Sequence, residues 1–262
     1  MPDQVKYTHK LRDAKVLIIG GSSGIGFGVA EALVENGCTV IISSSNPARV
    51  EKAVNQLKIS YPSSSGRIFG YTCDLGDYNT LEANLKQLFE QTGPGKLDHI
   101  IHTAGDSLAM MKLDDIDIGK ILKAGTVRFF APLLIGKFAK QYLNPGPKSS
   151  IILTTGSVSE HPRENWSVIN SFATGLQGMT RGLALDLKPI RVNLVSPGMV
   201  DTELWDGIEE SRRREMFNAA SARLPTGRVG RVEDVAESYL YLLKDENVTG
   251  SMISTNGGTL LV

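Results

Sequence analysis

Short apolar runs alternate with longer amphipathic stretches along this chain of 262 residues. The apolar runs, such as V-L-I-I and I-I-L, are nearly continuous, which is typical of strands covered on both faces. Strand–helix alternation predicts a parallel sheet with right-handed crossovers. The predicted strands are Lys15–Ile19, Thr39–Ser43, Arg67–Cys73, Leu97–His102, Ser149–Thr155, Ile190–Val195 and Ser251–Ser254. The predicted helices are Ile25–Asn36, Pro47–Ile59, Thr80–Thr92, a long stretch from Leu113 to Tyr142, and Ser167–Leu187.

The pattern predicts one α/β domain over residues 1–262, with a doubly wound parallel sheet of about seven strands and helices on both faces. No internal repeat, low-complexity tract or linker divides the chain, and Asn144–Pro147 (N-P-G-P) is interpreted as a turn. We interpret residues 203–225 as a helical lid that covers the substrate.

The charge balance gives no support for nucleic acid or an anionic membrane as a partner, because 28 basic residues match 28 acidic ones. Cys38 and Cys73 flank predicted strands, so we expect buried free thiols, which fit a reducing compartment. No targeting segment or membrane-spanning apolar run is present in the sequence. We therefore expect a soluble cytoplasmic protein, and we predict no metal site.

A glycine-rich segment, G-G-S-S-G-I-G at residues 20–26, lies between the first predicted strand and the first predicted helix. The start of a helix offers unpaired N–H groups and the positive end of the helix dipole. Glycines at that point let the backbone approach a pyrophosphate closely. The segment therefore predicts a dinucleotide site, and a tight turn without a ligand is the alternative.

The spacing of Gly20, Gly24 and Gly26 resembles that of the short-chain dehydrogenase/reductase family, which has a Rossmann-type fold. Further similar motifs are C-D-L (73–75), H-T-A-G (102–105), G-S (156–157), R-V-N-L-V-S-P-G-M-V-D-T (191–202) and N-G-G (256–258), so the resemblance covers nearly the whole chain. It implies that the backbone of Ser22–Gly26 holds the phosphates, Asp74 meets the adenine, and Val200 and Thr202 meet the nicotinamide amide. The resemblance assigns cofactor contacts to Gly20, Ser22, Ser23, Gly24, Ile25, Gly26, Asp74, Leu75, Thr103, Ala104, Gly105, Pro197, Gly198, Val200 and Thr202. It also implies a homodimer or homotetramer.

The turn after the second predicted strand bears on which nicotinamide cofactor binds. No Asp or Glu occurs between Thr39 and Val50, so no carboxylate would repel a 2′-phosphate there. Hydrogen-bond donors occupy the turn instead, and the residues concerned are Ser44, Ser45, Asn46 and Arg49. NADP(H) is therefore favoured, with an ordinary polar turn as the alternative reading.

The proton relay that the family uses on carbonyl substrates is missing. The segment L-A-L-D-L (183–187) fixes the register, which places Ile169 where the family has Tyr and Ala173 where it has Lys. Gly125 replaces the family's Asn, and of these residues only Ser157 remains. Without a positioned acid, ketone reduction should lose ~10²–10⁴ in rate. An iminium ion needs only hydride, so its reduction stays open.

Other polar residues near these positions are candidates to replace the relay. Arg128 lies one helical turn after Gly125 and is interpreted as a pocket residue that, with Ser157, stabilises charge on a substrate oxygen; snorkelling to solvent is the alternative. Asp106 or Glu164 would handle a proton, although most loop charges are merely solvated. Trp166 would wall the cavity and stack on the substrate, unless it packs in the protein's own core.

A narrower resemblance is carried by the S-S-S-N-P turn, Arg128, and Trp166 before the absent Tyr. These features are similar to short-chain-dehydrogenase-like proteins of fungal indole-alkaloid biosynthesis, of the malbrancheamide, paraherquamide and citrinadin type. The resemblance implies a hydrophobic substrate and either a semipinacol-type rearrangement with a non-redox cofactor or iminium reduction with cyclisation. The resemblance implies an acidic residue in the loop before the Trp in the cyclising branch; here Arg163 lies three residues and Glu164 two residues before Trp166, and this departure favours rearrangement. A catalytically inactive dinucleotide-binding scaffold is the third alternative.

Overall fold

The apolar runs form a parallel sheet in the computed structural model, which describes residues 4–93 and 95–262. Its strands are β1 (Lys15–Ile19), β2 (Thr39–Ser44), β3 (Ile68–Thr72), β4 (His99–His102), β5 (Ser150–Thr154), β6 (Arg191–Pro197) and β7 (Met252–Thr255). They lie in the order β3-β2-β1-β4-β5-β6-β7, and every neighbouring pair is parallel. The doubly wound Rossmann-type fold is confirmed, with its topological switch between β1 and β4.

Helices cover both faces of the sheet. They are α1 (Gly24–Glu35), α2 (Pro47–Ser60), α3 (Leu81–Gln91), α4 (Ile118–Gly125), α5 (Ala131–Tyr142), α6 (Ser167–Asp186), α7 (Glu210–Arg223) and α8 (Val232–Lys244). A π-helical segment, Thr126–Phe130, joins α4 to α5, and short 3₁₀ turns lie at Pro62–Arg67, Leu113–Asp115, Ser157–Ser159, Glu203–Trp205 and Thr259–Leu261. The predicted single stretch from Leu113 to Tyr142 is therefore divided, and the region of the predicted lid is helical.

Two apolar cores follow from the alternation of side chains along the strands. On one face, alternate strand residues such as Ile100 and Ile151 pack against α3, α5 and α6. On the other face, residues such as Ile101 and Ile152 pack against α1, α2 and α8. Burying both faces explains why the strands are nearly continuous in apolar residues.

The helix α8 is absent from the elements predicted from the pattern. Its buried residues fall on one helical stripe that includes Val235, Tyr239 and Leu243. It begins after Arg231, which is not a usual N-cap residue, so the start signal is weak. Asp234 compensates by accepting a hydrogen bond from the Arg231 N–H at 2.9 Å. Strand ends differ from the prediction by one or two residues, the usual uncertainty at such ends.

Both cysteines are buried free thiols, as predicted. Burial raises the pKa of the Cys38 thiol to about 12 and that of Cys73 to about 11, which makes both poor nucleophiles. Within residues 4–93 and 95–262, no helix has the length and apolarity to cross a bilayer. The same residues contain no cluster of side chains suited to a metal ion.

Candidate cofactor and active site

The glycine loop is packed tightly against the end of β4. Gly20 has φ +99°, and a Cβ added there would lie 2.3 Å from the backbone nitrogen of Ala104. The N–H groups of Thr103 and Ala104 donate to the Ile19 carbonyl at 2.8 and 2.9 Å. A Cβ at Gly26 would lie 2.2 Å from the Gly20 carbonyl oxygen. The loop thus needs glycine for its own packing, and that packing places it at the junction of β1 and β4, where doubly wound sheets bind ligands.

Gly24 presents its N–H at the start of α1, where a phosphate is expected. This N–H donates to the Glu203 carboxylate at 2.8 Å. The N-cap residue Ser23 makes no side-chain hydrogen bond to the helix, so Glu203 supplies the anion at this helix start. A carboxylate held there shows that the backbone geometry accepts an anion, so the residues present fit a pyrophosphate.

The loop after β6 is held against the C-terminal segment. The Gly198 N–H donates to the Thr255 carbonyl at 3.1 Å, and a Cβ at Gly198 would lie 2.8 Å from the Asn256 carbonyl oxygen. At its other end the loop meets the glycine turn, because a Cβ at Gly24 would lie 3.3 Å from the Thr202 side chain. The structure therefore brings together the residues predicted for the nicotinamide and for the phosphates.

The residues predicted for the adenosine end lie on the neighbouring strands β2 and β3. Ser44 ends β2, and its carbonyl accepts from the Cys73 N–H at 3.0 Å, which places Ser44 beside Asp74. The Asn46 carboxamide oxygen caps α2 through the Arg49 N–H at 3.0 Å, so this oxygen is already committed. Ser45 and Asp74 are exposed, whereas the Leu75 side chain is in the core. A cofactor contact at Leu75 would have to come from its backbone.

The space behind the missing relay is filled by aromatic rings. Phe172 lies on α6 between Ile169 and Ala173, and a Cβ on Gly125 would lie 2.7 Å from its Cζ. The Phe172 ring also packs against Phe129 and Phe130, with centroids 5.1 and 5.9 Å away. The structure therefore has glycine at 125 for a packing reason that no local sequence signal shows.

We expect Gly125→Asn to lower the free energy of unfolding by about 1–3 kcal/mol, because the new side chain meets packed rings. Urea denaturation of the variant measures this cost. The double variant Gly125→Asn/Phe172→Ala is the control, since it opens the space, and it should lose less than the sum of the single changes. An unchanged urea midpoint for Gly125→Asn would contradict this packing argument.

Arg128 and Asp106, for which the sequence predicts separate roles, form an ion pair. Arg128 Nε donates to Asp106 Oδ1 at 3.1 Å, and Nη2 donates to the Asp106 backbone carbonyl. The guanidinium lies directly on Gly105, where a Cβ would come within 2.6 Å of it. Desolvation lowers the Arg128 pKa, and Asp106 opposes that effect. Among the described residues, Nη1 has no acceptor and Asp106 Oδ2 has no donor, so each can face a substrate.

His102, at the end of β4, is buried on the same side as this pair. Burial, with Arg128 nearby, lowers its pKa to about 4, so the ring is neutral at neutral pH. Its Nε2 is buried and has no hydrogen-bond partner in the part of the chain that the structure describes. In the sequence, His102 is the first residue of the H-T-A-G motif, and a polar residue at the end of an apolar strand is the signal that could have singled it out.

Trp166 is half-buried, and one face of its ring is covered. The Arg163 guanidinium carbon lies 5.4 Å from the Trp166 ring centroid, a cation–π contact. The Asn165 carbonyl accepts from the Met111 N–H at 3.0 Å, which ties the Trp166 loop to the loop after Asp106. Stacking on a substrate, as predicted, would therefore use the other face of the indole ring.

The two remaining catalytic candidates differ in their surroundings. Ser157 is only 9% exposed and begins the turn that α6 holds through a 2.9 Å hydrogen bond from Thr174 to Ser159. Glu164 is exposed and forms no hydrogen bond or ion pair with any residue in 4–93 or 95–262. Ser157 is therefore held in place by its buried surroundings, whereas no contact among the described residues fixes the position of Glu164.

The predicted lid region is fastened to the loop after β6. Trp205 Nε1 donates to the Val200 carbonyl at 2.9 Å, and the Trp205 ring meets Phe217 of α7 edge-on at 6.3 Å. Arg213 of α7 pairs with Asp206 at 2.8 Å and with Asp201 at 3.5 Å. Movement of α7 is therefore linked to the residues predicted to meet the nicotinamide.

Nearly the whole chain is similar to enzymes of known sequence and structure. The chain is 46% identical over 259 residues to short-chain dehydrogenase/reductase fsr5 of Gibberella fujikuroi, covering 98% of each protein. It is 41% identical over 254 residues to short-chain dehydrogenase/reductase malC of Malbranchea aurantiaca, covering 96% of each. The solved structure of MalC reductase/Diels–Alderase matches with a TM-score of 0.93 and 40% identity, over 98% of this chain and 100% of that one.

A solved small-chain dehydrogenase in complex with NADPH also matches, with a TM-score of 0.78 and 28% identity over 95% of this chain and 100% of that one. The family model for an SDR-like Rossmann domain matches residues 7–262. These matches agree with the crevice, the glycine loop and the strand order described above. The chain belongs to the short-chain dehydrogenase/reductase family and has its nicotinamide dinucleotide-binding fold.

Proposed function

We propose that this protein is an NADPH-dependent reductase of a bulky hydrophobic iminium in fungal secondary metabolism. The observation that carries the proposal is the Arg128–Asp106 pair in a site whose family Tyr and Lys are Ile169 and Ala173. Bound NADPH would supply a hydride. A carbon–nitrogen cation that accepts a hydride becomes a neutral amine without taking up a proton, so the reaction needs no acid from the protein.

The pair suits a cationic substrate better than a substrate that must be protonated. Asp106 Oδ2 is free of donors among the described residues, and its side chain is 36% exposed, so it can lie against a cationic nitrogen. Arg128 holds Asp106 in place by donating to its Oδ1 and to its backbone carbonyl oxygen. The apolar residues Ile169, Phe172 and Ala173 would receive the hydrophobic part of the substrate.

NADP(H) is proposed over NAD(H) because the turn at Ser44–Asn46 adjoins the start of α2 and carries no carboxylate. A helix start and neutral donors favour the 2′-phosphate, whereas a carboxylate would repel it. The NADPH complex of a relative at 28% identity is consistent with this proposal.

A redox-neutral, semipinacol-type rearrangement is the second candidate, and the free Nη1 of Arg128 favours it. That N–H could stabilise a substrate oxygen as charge develops or departs. On the sequence alone, rearrangement is the favoured reaction. The ion pair supports the opposite order, because Arg128 holds Asp106 and Glu164 has no partner among the described residues, so neither is a well-placed free acid.

We expect one NADPH to be oxidised for each amine formed when the protein is incubated with a cyclic indole iminium salt. The nicotinamide absorbance band follows oxidation, and mass spectrometry follows the amine and any cyclised product. A ketone of similar size is the control, and its reduction should be slower by ~10²–10⁴ because no acid protonates the alkoxide.

Three other outcomes of that experiment are informative. Conversion of a hydroxyindolenine with NADP⁺ alone would support the rearrangement. Brisk ketone reduction would overturn the account of the missing relay. Cofactor binding without product from any of these probes would favour the inactive scaffold.

A further inference from the structure

The Glu203 carboxylate accepts a hydrogen bond from the Gly24 N–H, which the glycine loop would otherwise offer to the cofactor. Its Oε2 accepts the Gly24 N–H at 2.8 Å, and it lies 3.5 Å from the position a Gly24 Cβ would take. The family assigns this part of the loop to the pyrophosphate. One N–H directed at one oxygen cannot also bind a phosphate oxygen at full strength, so the two anions compete.

Glu203 is also the first residue of the predicted lid. The turn Glu203–Trp205 is joined to the nicotinamide loop by Trp205, which donates to the Val200 carbonyl. The same turn is joined to α7 by Arg213, whose partners Asp201 and Asp206 flank it on either side. Displacing Glu203 therefore moves a segment that is fastened to both the cofactor loop and the lid helix.

We propose that Glu203 is a built-in competitor of the cofactor pyrophosphate and holds the lid to the glycine loop until a dinucleotide binds. Binding breaks the Glu203–Gly24 hydrogen bond and places a phosphate oxygen on the Gly24 N–H. The freed carboxylate moves away from the phosphates because like charges repel, and it takes the start of the lid with it. This inference rests on dinucleotide binding and on no assumption about the reaction catalysed.

The affinity of NADP⁺ tests the competition directly. We expect Glu203→Gln to lower the Kd of NADP⁺ roughly two- to fivefold, the range for one charge at a helix start. Isothermal titration calorimetry at fixed ionic strength measures this change. Glu215→Gln is the matched control, because Glu215 is an exposed carboxylate on α7 without a partner in residues 4–93 and 95–262, and it should bind like the wild type.

A ligand without a pyrophosphate separates competition from a general effect of charge. Adenosine 2′-monophosphate should bind the wild type and Glu203→Gln with the same Kd. Equal NADP⁺ affinity in both proteins would overturn the proposal, and so would an equal gain in the Glu215→Gln control. If neither protein binds NADP⁺, the dinucleotide site itself fails, and that result is distinct from a failed competition.

Trp205 fluorescence tests the link to the lid. In a Trp166→Phe background, Trp205 is the remaining tryptophan of the sequence and lies two residues from Glu203. Saturating NADP⁺ should shift its emission, and Glu203→Gln without NADP⁺ should already show most of that shift. An emission spectrum unaffected by both NADP⁺ and the substitution would overturn the release of the lid.

Discussion

Arg128→Met is expected to lower kcat/KM for the proposed iminium substrate by ~10²–10³, comparable to the loss of one preorganised hydrogen-bond donor in other enzymes. Methionine keeps much of the apolar stem but removes both hydrogen bonds that fix Asp106. Asp106 then turns toward water, and the cationic nitrogen loses its partner. Steady-state kinetics of NADPH oxidation measure the loss.

The controls separate this role from general stability. Arg181→Met on α6 removes an exposed arginine that has no partner in the described part of the chain, and it should leave kcat/KM unchanged. Arg128→Lys should recover little of the lost kcat/KM, because a lysine lacks the planar guanidinium that reaches both the Asp106 carboxylate and its backbone carbonyl. The double variant Arg128→Met/Asp106→Asn should lose less than the sum of its parts. Full activity in Arg128→Met would exclude the pair from the reaction.

Gly20→Ala is expected to lower the free energy of unfolding by about 3–5 kcal/mol, an exceptional cost for one methyl group. The added Cβ would lie 2.3 Å from the Ala104 nitrogen and 2.7 Å from the Thr103 carbonyl carbon, which are backbone atoms that cannot rotate away. The residue also has φ +99°, which side chains rarely adopt. Urea denaturation followed by circular dichroism measures the change.

Gly178→Ala is the matched control, because it adds the same methyl group in open space on α6. Alanine is the better helix former, so this variant should gain about 0.5–1 kcal/mol. If Gly20→Ala unfolds within ~1 kcal/mol of the wild type, the close packing of the loop on β4 is wrong.

The sheet was predictable because burial on both faces leaves a local signal in each strand. The run V-L-I-I marks β1 without knowledge of its neighbours, and the glycines after it mark the turn at which the sheet is doubly wound. α8 was missed because its start lacks a usual cap, although its apolar stripe is present. Local patterns therefore predict an element well when nearby residues provide both its apolar periodicity and the capping or turn signals at its ends.

The sequence predicted which residues belong to the site better than it predicted which of them contact each other. Arg128 and Asp106 were both proposed, yet they are 22 residues apart and were given separate roles. Glu203 and Gly24 are 179 residues apart, and no pattern links a lid residue to the glycine loop. Such contacts depend on how loops from different strands meet at one edge of the sheet, which periodicity does not describe.

The ring of Phe172 behind Gly125 makes the loss of the relay hard to undo. Engineering toward ketone reduction would have to replace Phe172 before an asparagine at 125 could fit, in addition to introducing Ile169→Tyr and Ala173→Lys. Gly125→Asn alone meets the packed rings, and Phe172→Ala alone leaves a cavity, so each single change is expected to destabilise the protein. An asparagine at this position is therefore coupled to repacking of the aromatic rings behind it.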